Sequence, residues 1–183
     1  MVVAVCGSPG AGKTTVARAT ARCLGVPLLT RDEIKTGLGL TSASVAAGGK
    51  VRFTPDFHVA GGPLSRRAEA LMVETARLLA SSRVSFVVES SVLSQELLDA
   101  LFTGDARVLA VHVTARESVI GHRLRARTGA ADQQLASQFQ RGEMKPSIFT
   151  PPSGVDAVVT LDTSDGEAPN VGLIEAAVAA LIR

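Results

Sequence analysis

Apolar and polar positions along this chain fall into two alternating kinds of run. Short, β-branched apolar runs read as buried strands at residues 2–6, 27–30, 84–88, 107–113 and 155–161. Longer stretches with apolar residues three and four apart lie between them. They predict helices over residues 12–24, from 32 to beyond 37, and over 63–82, 94–101, 117–127, 132–140 and 171–182. In the helix at 63–82, Leu64, Ala68, Leu71, Thr75 and Leu78 recur on one face, the expected buried stripe. Pro63 suits the first turn of that helix. Asp32 and Glu33 complement the positive end of theirs. Residues 39–62 are rich in Gly, Ser and Ala and show no period, which predicts a long functional loop with room for a short helix. Residues 128–132 predict a turn, and 141–154, with three prolines, a loop.

Strands alternating with helices predict stacked β-α-β units around a parallel sheet. The crossovers are expected to be right-handed. The expected fold is therefore α/β, a three-layer doubly wound domain of five parallel strands over residues 1–183. An acceptor-side loop is expected at about 36–62 and a small, mobile helical lid at about 122–142. Ligands of such sheets bind beyond the carboxyl ends of the strands. The residues just after each strand are thus the places where chemistry is expected.

After the first strand comes Gly7-Ser8-Pro9-Gly10-Ala11-Gly12-Lys13-Thr14-Thr15, which fits G-x-x-x-x-G-K-[ST] between a strand and a helix. Glycines let the backbone curl so that its N–H groups converge on phosphate oxygens. The following helix adds its positive end. Lys13 is placed to reach β- and γ-phosphates and Thr14 to hold Mg²⁺. ATP is expected over GTP, because the chain has no N-K-x-D or T-K-x-D segment to read guanine.

Past the second strand, Asp32 is the candidate base for an attacking hydroxyl. Lys35 lies one helical turn further on, as a candidate substrate contact. Glu89 ends the third strand, where a carboxylate can hold a metal through water or bind substrate. Arg116, Arg123, Arg125 and Arg127 cluster after the fourth strand. Arg123 and Arg127, four apart, are the candidate phosphate clamp. His58, Arg66 and Arg67 are candidate acceptor contacts, and Asp162-Thr163-Ser164 a candidate base contact. His112 reads as a core or strand-end residue, and His122 has no visible partner.

Composition narrows this further. With 19 basic and 17 acidic residues, the net charge of +2 does not point to a general polyanion binder. Cys6 and Cys23 form no C-x-x-C pair and read as reduced thiols. No zinc-type spacing occurs. Residues 1–6 are too short for a signal-peptide core, and no run is long enough to span a membrane. A cytoplasmic monomer or homodimer is expected.

The segments 7–15, 31–35, 87–91 and 122–127 together resemble the P-loop kinase superfamily. The likeness is to its AAA-type branch of polynucleotide 5′-kinases, zeta-toxin-like kinases, chloramphenicol phosphotransferase and gluconate kinase. Ala131-Asp132-Gln133-Gln134-Leu135 and Leu161-Asp162-Thr163-Ser164 look like further family elements. The resemblance implies a P-loop NTPase fold with strand order 2-3-1-4-5. It also implies that Asp32 matches the general base of an R-D-x-x-R element. Lys35 stands where the second arginine would be, and Glu89-Ser90-Ser91 replaces the usual D-x-[TN].

Three functions follow as expectations. The first is ATP-dependent transfer of the γ-phosphate to a small-molecule hydroxyl. The second is a polynucleotide 5′-hydroxyl kinase, disfavoured by even charge and few aromatics. The third is a nucleotide switch with no acceptor.

Overall fold

A computed structural model describes residues 1–59, 61–127 and 130–183, without the side chains of 130–132. The expected turn at 128–132 therefore lies largely outside the described residues. In chain order come β1 (Val2–Cys6), α1 (Lys13–Leu24), β2 (Leu28–Thr30) and α2 (Arg31–Leu40). A small hairpin follows, β3 (Ser44–Val45) and β4 (Val51–Arg52), then a 3₁₀ turn at Pro55–His58. The rest is α3 (Pro63–Ser81), β5 (Phe86–Glu89), α4 (Gln95–Leu101), β6 (Val108–Thr114), α5 (Glu117–Arg125) and α6 (Ala130–Gln140). A second 3₁₀ turn at Pro146–Phe149 precedes β7 (Ala157–Asp162) and α7 (Val171–Ile182).

The parallel sheet runs β2-β5-β1-β6-β7. Leaving out the separate hairpin, this is the expected order 2-3-1-4-5 in sequence. β1 is central, and all five of its residues are buried. Its alternate side chains feed two cores, as expected of a sheet covered on both faces. Val2, Ala4 and Cys6 pack with Phe86, Met72, Leu97 and Leu101 beneath α3 and α4. Val3 and Val5 pack with Val16, Ala17, Ile174 and Val178 of α1 and α7. Each fully buried side chain of this size contributes about 1.5–3 kcal/mol of hydrophobic stabilisation.

Two expectations need correction. The buried face of α3 is Ser65, Ala68, Met72, Ala76 and Ala80, about one position round from the expected stripe. Leu78 is 65% exposed. The sequence pattern weighted large leucines, but Met72 and the small Ala68, Ala76 and Ala80 occupy the core instead. The segment 39–62 is also more ordered than expected, holding the hairpin and the 3₁₀ turn, with Phe53 stacked on Phe57 at 4.0 Å between ring centroids. Gly39 faces that pair, and a Cβ there would lie 2.7 Å from the Phe57 ring.

Strand register sets the site. Glu89 is level with Val5 of β1 on one side and Thr30 of β2 on the other. The phosphate loop, the start of α2 and the segment Glu89-Ser90-Ser91 therefore leave the sheet side by side. Among the described residues no helix is long and apolar enough to cross a membrane.

Candidate active site

The loop after β1 curls over the end of β6. Gly7 has φ 141°, and a Cβ there would fall 2.1 Å from the Val113 carbonyl oxygen, so only glycine fits. Gly12, also left-handed at φ 94°, caps α1 without a side-chain bond, and the first turn holds no acidic residue. The positive end of α1 is thus left open to an anion. Helix α1 starts at Lys13 rather than at Gly12, with the glycine serving as its cap.

Lys13 is buried at the base of this loop, 7% exposed, and its ammonium donates to the Ser8 carbonyl at 3.0 Å. Burial lowers its pKa, and the Glu89 carboxylate opposes that shift. The Thr14 hydroxyl donates to Glu89 Oε2 at 3.3 Å. Burial pushes the Glu89 carboxyl up, against the pull of Lys13. A hydroxyl and a carboxylate are hard oxygen donors of the kind that magnesium takes. These two residues therefore fit the expected metal role. Cys6, one residue before the loop, is buried, and its thiol is pushed up to about 11 by desolvation, which leaves it unreactive.

Asp32 enters from α2. Thr30 caps that helix by accepting from the Glu33 amide at 3.1 Å, and Asp32 falls in the first turn. Glu33 is used structurally, paired with Arg18 of α1 at 3.0 Å. Asp32, 82% exposed, lies 3.6 Å from Arg31 and faces an open cavity of about 460 Å³. Lys13, Thr14, Glu89, Ser90, Ser91 and Arg127 line the same cavity. Asp32, the phosphate-loop lysine, the strand-end acid and Arg127 are thereby brought together.

A second cavity, about 560 Å³, lies on the β7 flank of the phosphate loop. It shares Gly10, Gly12, Thr15 and Arg127 with the first. Between β7 and the loop stands a hydrogen-bonded brace. Arg123 donates to Thr163 Oγ1 at 2.9 Å, to the Thr163 carbonyl at 2.7 Å and to the Gly10 carbonyl at 3.3 Å. The Thr163 hydroxyl donates to the Ala11 carbonyl at 2.7 Å. These bonds hold the Gly10 and Ala11 carbonyls on the β7 side of the loop.

Arg123 and Arg127, the expected clamp, both line this β7-side cavity. Helix α5 ends at Arg125, with Ala126 as its cap and Arg127 just beyond. Arg127 lines both cavities, whereas Arg123 lines only the β7-side one and braces the loop. Thr163 likewise bonds the loop as well as lining the cavity where a base contact was expected. Arg116 is held away by Asp165 at 3.0 Å, its amide donating to Ser164.

Four candidate acceptor contacts, Lys35, His58, Arg66 and Arg67, do not line the Asp32 cavity. Lys35 donates to the Val59 carbonyl at 3.5 Å and lies 5.4 Å from the Phe57 ring centroid. Arg66 donates to the Gly61 carbonyl at 2.8 Å, and His58 packs edge-on to Phe57. The hairpin segment folds back on itself and takes up these groups. In their place the cavity gains Leu135, Gln138, Glu143, Met144, Ile148 and Phe149. Leu135 and Gln138 come from α6, within the expected lid; sequence reasoning missed Glu143, Met144, Ile148 and Phe149, because a proline-rich loop has no period to show which side chains point inward.

The family model described as an AAA domain matches residues 2–150. The chain belongs to the AAA domain family. Solved structures bear out the P-loop fold of this AAA domain. A candidate kinase from Chloroflexus aurantiacus J-10-fl is 19% identical with TM-score 0.74, over 98% of this chain and 96% of that one. A sugar kinase from Janibacter sp. HTCC2649 is 22% identical with TM-score 0.56, over 98% and 93%. The APS kinase CysC of Mycobacterium tuberculosis, in complex with AMPPNP and APS, is 18% identical with TM-score 0.51, over 87% of each chain. No curated protein sequence gives a significant match.

Proposed function

We propose that this AAA domain is an ATP-dependent phosphotransferase acting on a hydroxyl of a small molecule, with Asp32 as general base. The observation that carries the reading is the shared cavity of Asp32, Lys13, Thr14, Glu89 and Arg127. The solved kinases of the same fold agree with it, the APS kinase holding a nucleotide analogue and a small substrate together.

The nucleotide's phosphates lie on the loop amides and the open end of α1, with Lys13 moving from the Ser8 carbonyl to the β- and γ-oxygens. Thr14 directly, and Glu89 through water, would hold magnesium, which when bound would neutralise the charge that develops on the phosphates. Its base and sugar extend toward the β7-side cavity, which shares Arg127 and three loop residues with the Asp32 cavity. Asp32 takes the hydroxyl proton as the oxygen attacks the γ-phosphorus, and Arg127 stabilises the charge of the transferring group.

The test is ADP release from Mg-ATP in the presence of hydroxyl-bearing metabolites, nucleosides, antibiotics and 5′-hydroxyl oligonucleotides. A small alcohol should accelerate ADP release and appear as its phosphate ester. Acceleration by oligonucleotides alone would point to a nucleic-acid acceptor. Acceleration by none would leave a nucleotide switch.

A further inference from the structure

The Asp32 cavity has an apolar wall that lies outside both cores. Leu135, Met144, Ile148 and Phe149 line it, yet none of the four belongs to either core. Ile148 is 51% exposed. Apolar surface held open to water costs about 25 cal/mol per Å², which a fitting apolar ligand recovers. The cavity volume, about 460 Å³, lies within the range of small-molecule sites.

The charges in the same cavity argue against an acidic ligand. Its cations are Lys13, Arg31 and Arg127, and its carboxylates Asp32, Glu89 and Glu143. Lys13 and Arg127 face the phosphates in the reading above. Arg31 is 3.6 Å from Asp32, so its charge is already answered there. Glu143 is bonded to Arg141. The cations that a sugar acid or phosphorylated acceptor would call on, Lys35 and Arg66, are bonded to backbone carbonyls outside the cavity.

Resting on the phosphotransfer reading, we propose that the acceptor is an uncharged alcohol with an apolar ring or branched chain. Its body seats against Leu135, Met144, Ile148 and Phe149, and its hydroxyl points at Asp32. The alcohol oxygen bonds to the γ-phosphorus, the bond from that phosphorus to the β,γ-bridging oxygen breaks, and ADP leaves with that electron pair. The alcohol proton passes to Asp32 and then to water. Gln138, in the same wall, supplies an amide for a second hydroxyl or carbonyl of the acceptor.

The experiment compares 1-phenyl-1,2-propanediol, glycerol and gluconate as probes on the full chain. Ester formation with Mg-ATP is followed by phosphorus NMR, and binding to AMPPNP-loaded protein by calorimetry. The aryl diol should exceed both others at least tenfold in kcat/KM. Phe149→Ala should remove most of that preference, and Phe149→Leu should restore part of it. A preference for gluconate, or a Phe149→Ala loss equal for all three probes, overturns the proposal. Absence of binding by the diol overturns it as well. If the diol binds the loaded protein more tightly than gluconate but no ester forms, the apolar seat stands and the phosphotransfer reading falls.

Discussion

The two flanks of the phosphate loop are built differently. On the β7 flank, Arg123 and Thr163 bind the loop carbonyls of Gly10 and Ala11. On the acceptor flank, Asp32 stands 82% exposed in an open cavity whose wall includes apolar side chains from outside both cores. A group that must meet charge as it develops works best when its dipoles are set beforehand. A group that must receive a second substrate has to leave room for it. The rigid flank fits the first requirement and the open flank the second.

The largest effect that would break this contrast lies at the loop itself. Lys13→Met should lower kcat on the order of 10³-fold, since it removes the buried cation beside the transferring group. Steady-state kinetics would show it, and a loss below tenfold would leave the loop without its expected role. Next comes the brace. Thr163→Val removes a hydroxyl that binds the Ala11 carbonyl, a hydrogen bond worth about 1 kcal/mol. The KM for ATP should rise about fivefold, with the acceptor KM unchanged and Thr163→Ser recovering most of the loss. Equal changes in both KM values would mean that the two flanks are not separable.

Glu89 sharpens the contrast through pH. Burial raises its pKa in the folded chain, so its contribution to stability is fully present below the ordinary Glu value. That contribution is lost as pH rises through the raised value. Metal holding needs the opposite, ionised form. Activity should therefore fall as pH drops, with an acid limb above the ordinary carboxylate range, and Glu89→Gln should abolish that limb together with most of the rate. The smallest effects belong to the outer cations. Lys35→Ala and Arg66→Ala should change kcat/KM by less than about twofold, as surface substitutions away from the chemistry do. A tenfold loss at either would place the acceptor over the hairpin rather than in the Asp32 cavity.

What was legible in the sequence follows the same division. The strand, glycines, lysine and helix from Val2 to Leu24 are contiguous, and each acts through local geometry, so the loop and its cap could be read directly. Asp32 and Glu89 were legible because topology fixes the ends of parallel strands, and register then set them side by side. Arg123 and Arg127 were legible as neighbours and both line the β7-side cavity, but spacing alone did not show that Arg123 bonds the loop. Lys35 was assigned to the substrate from its position one turn after Asp32, but the aromatic pair of the hairpin and the Val59 carbonyl took its side chain. The apolar wall from Met144 to Phe149 was hidden in a loop where no period separates inward from outward.

The central claim is that one carboxylate faces the end of a bound triphosphate and takes the acceptor's proton. Asp32→Asn tests it most directly, with kcat for ester formation and the dissociation constant for ATP measured on the same preparation. The account predicts that kcat falls by about 10²–10⁴-fold while ATP affinity stays within about twofold. Turnover near that of the unaltered chain would contradict it.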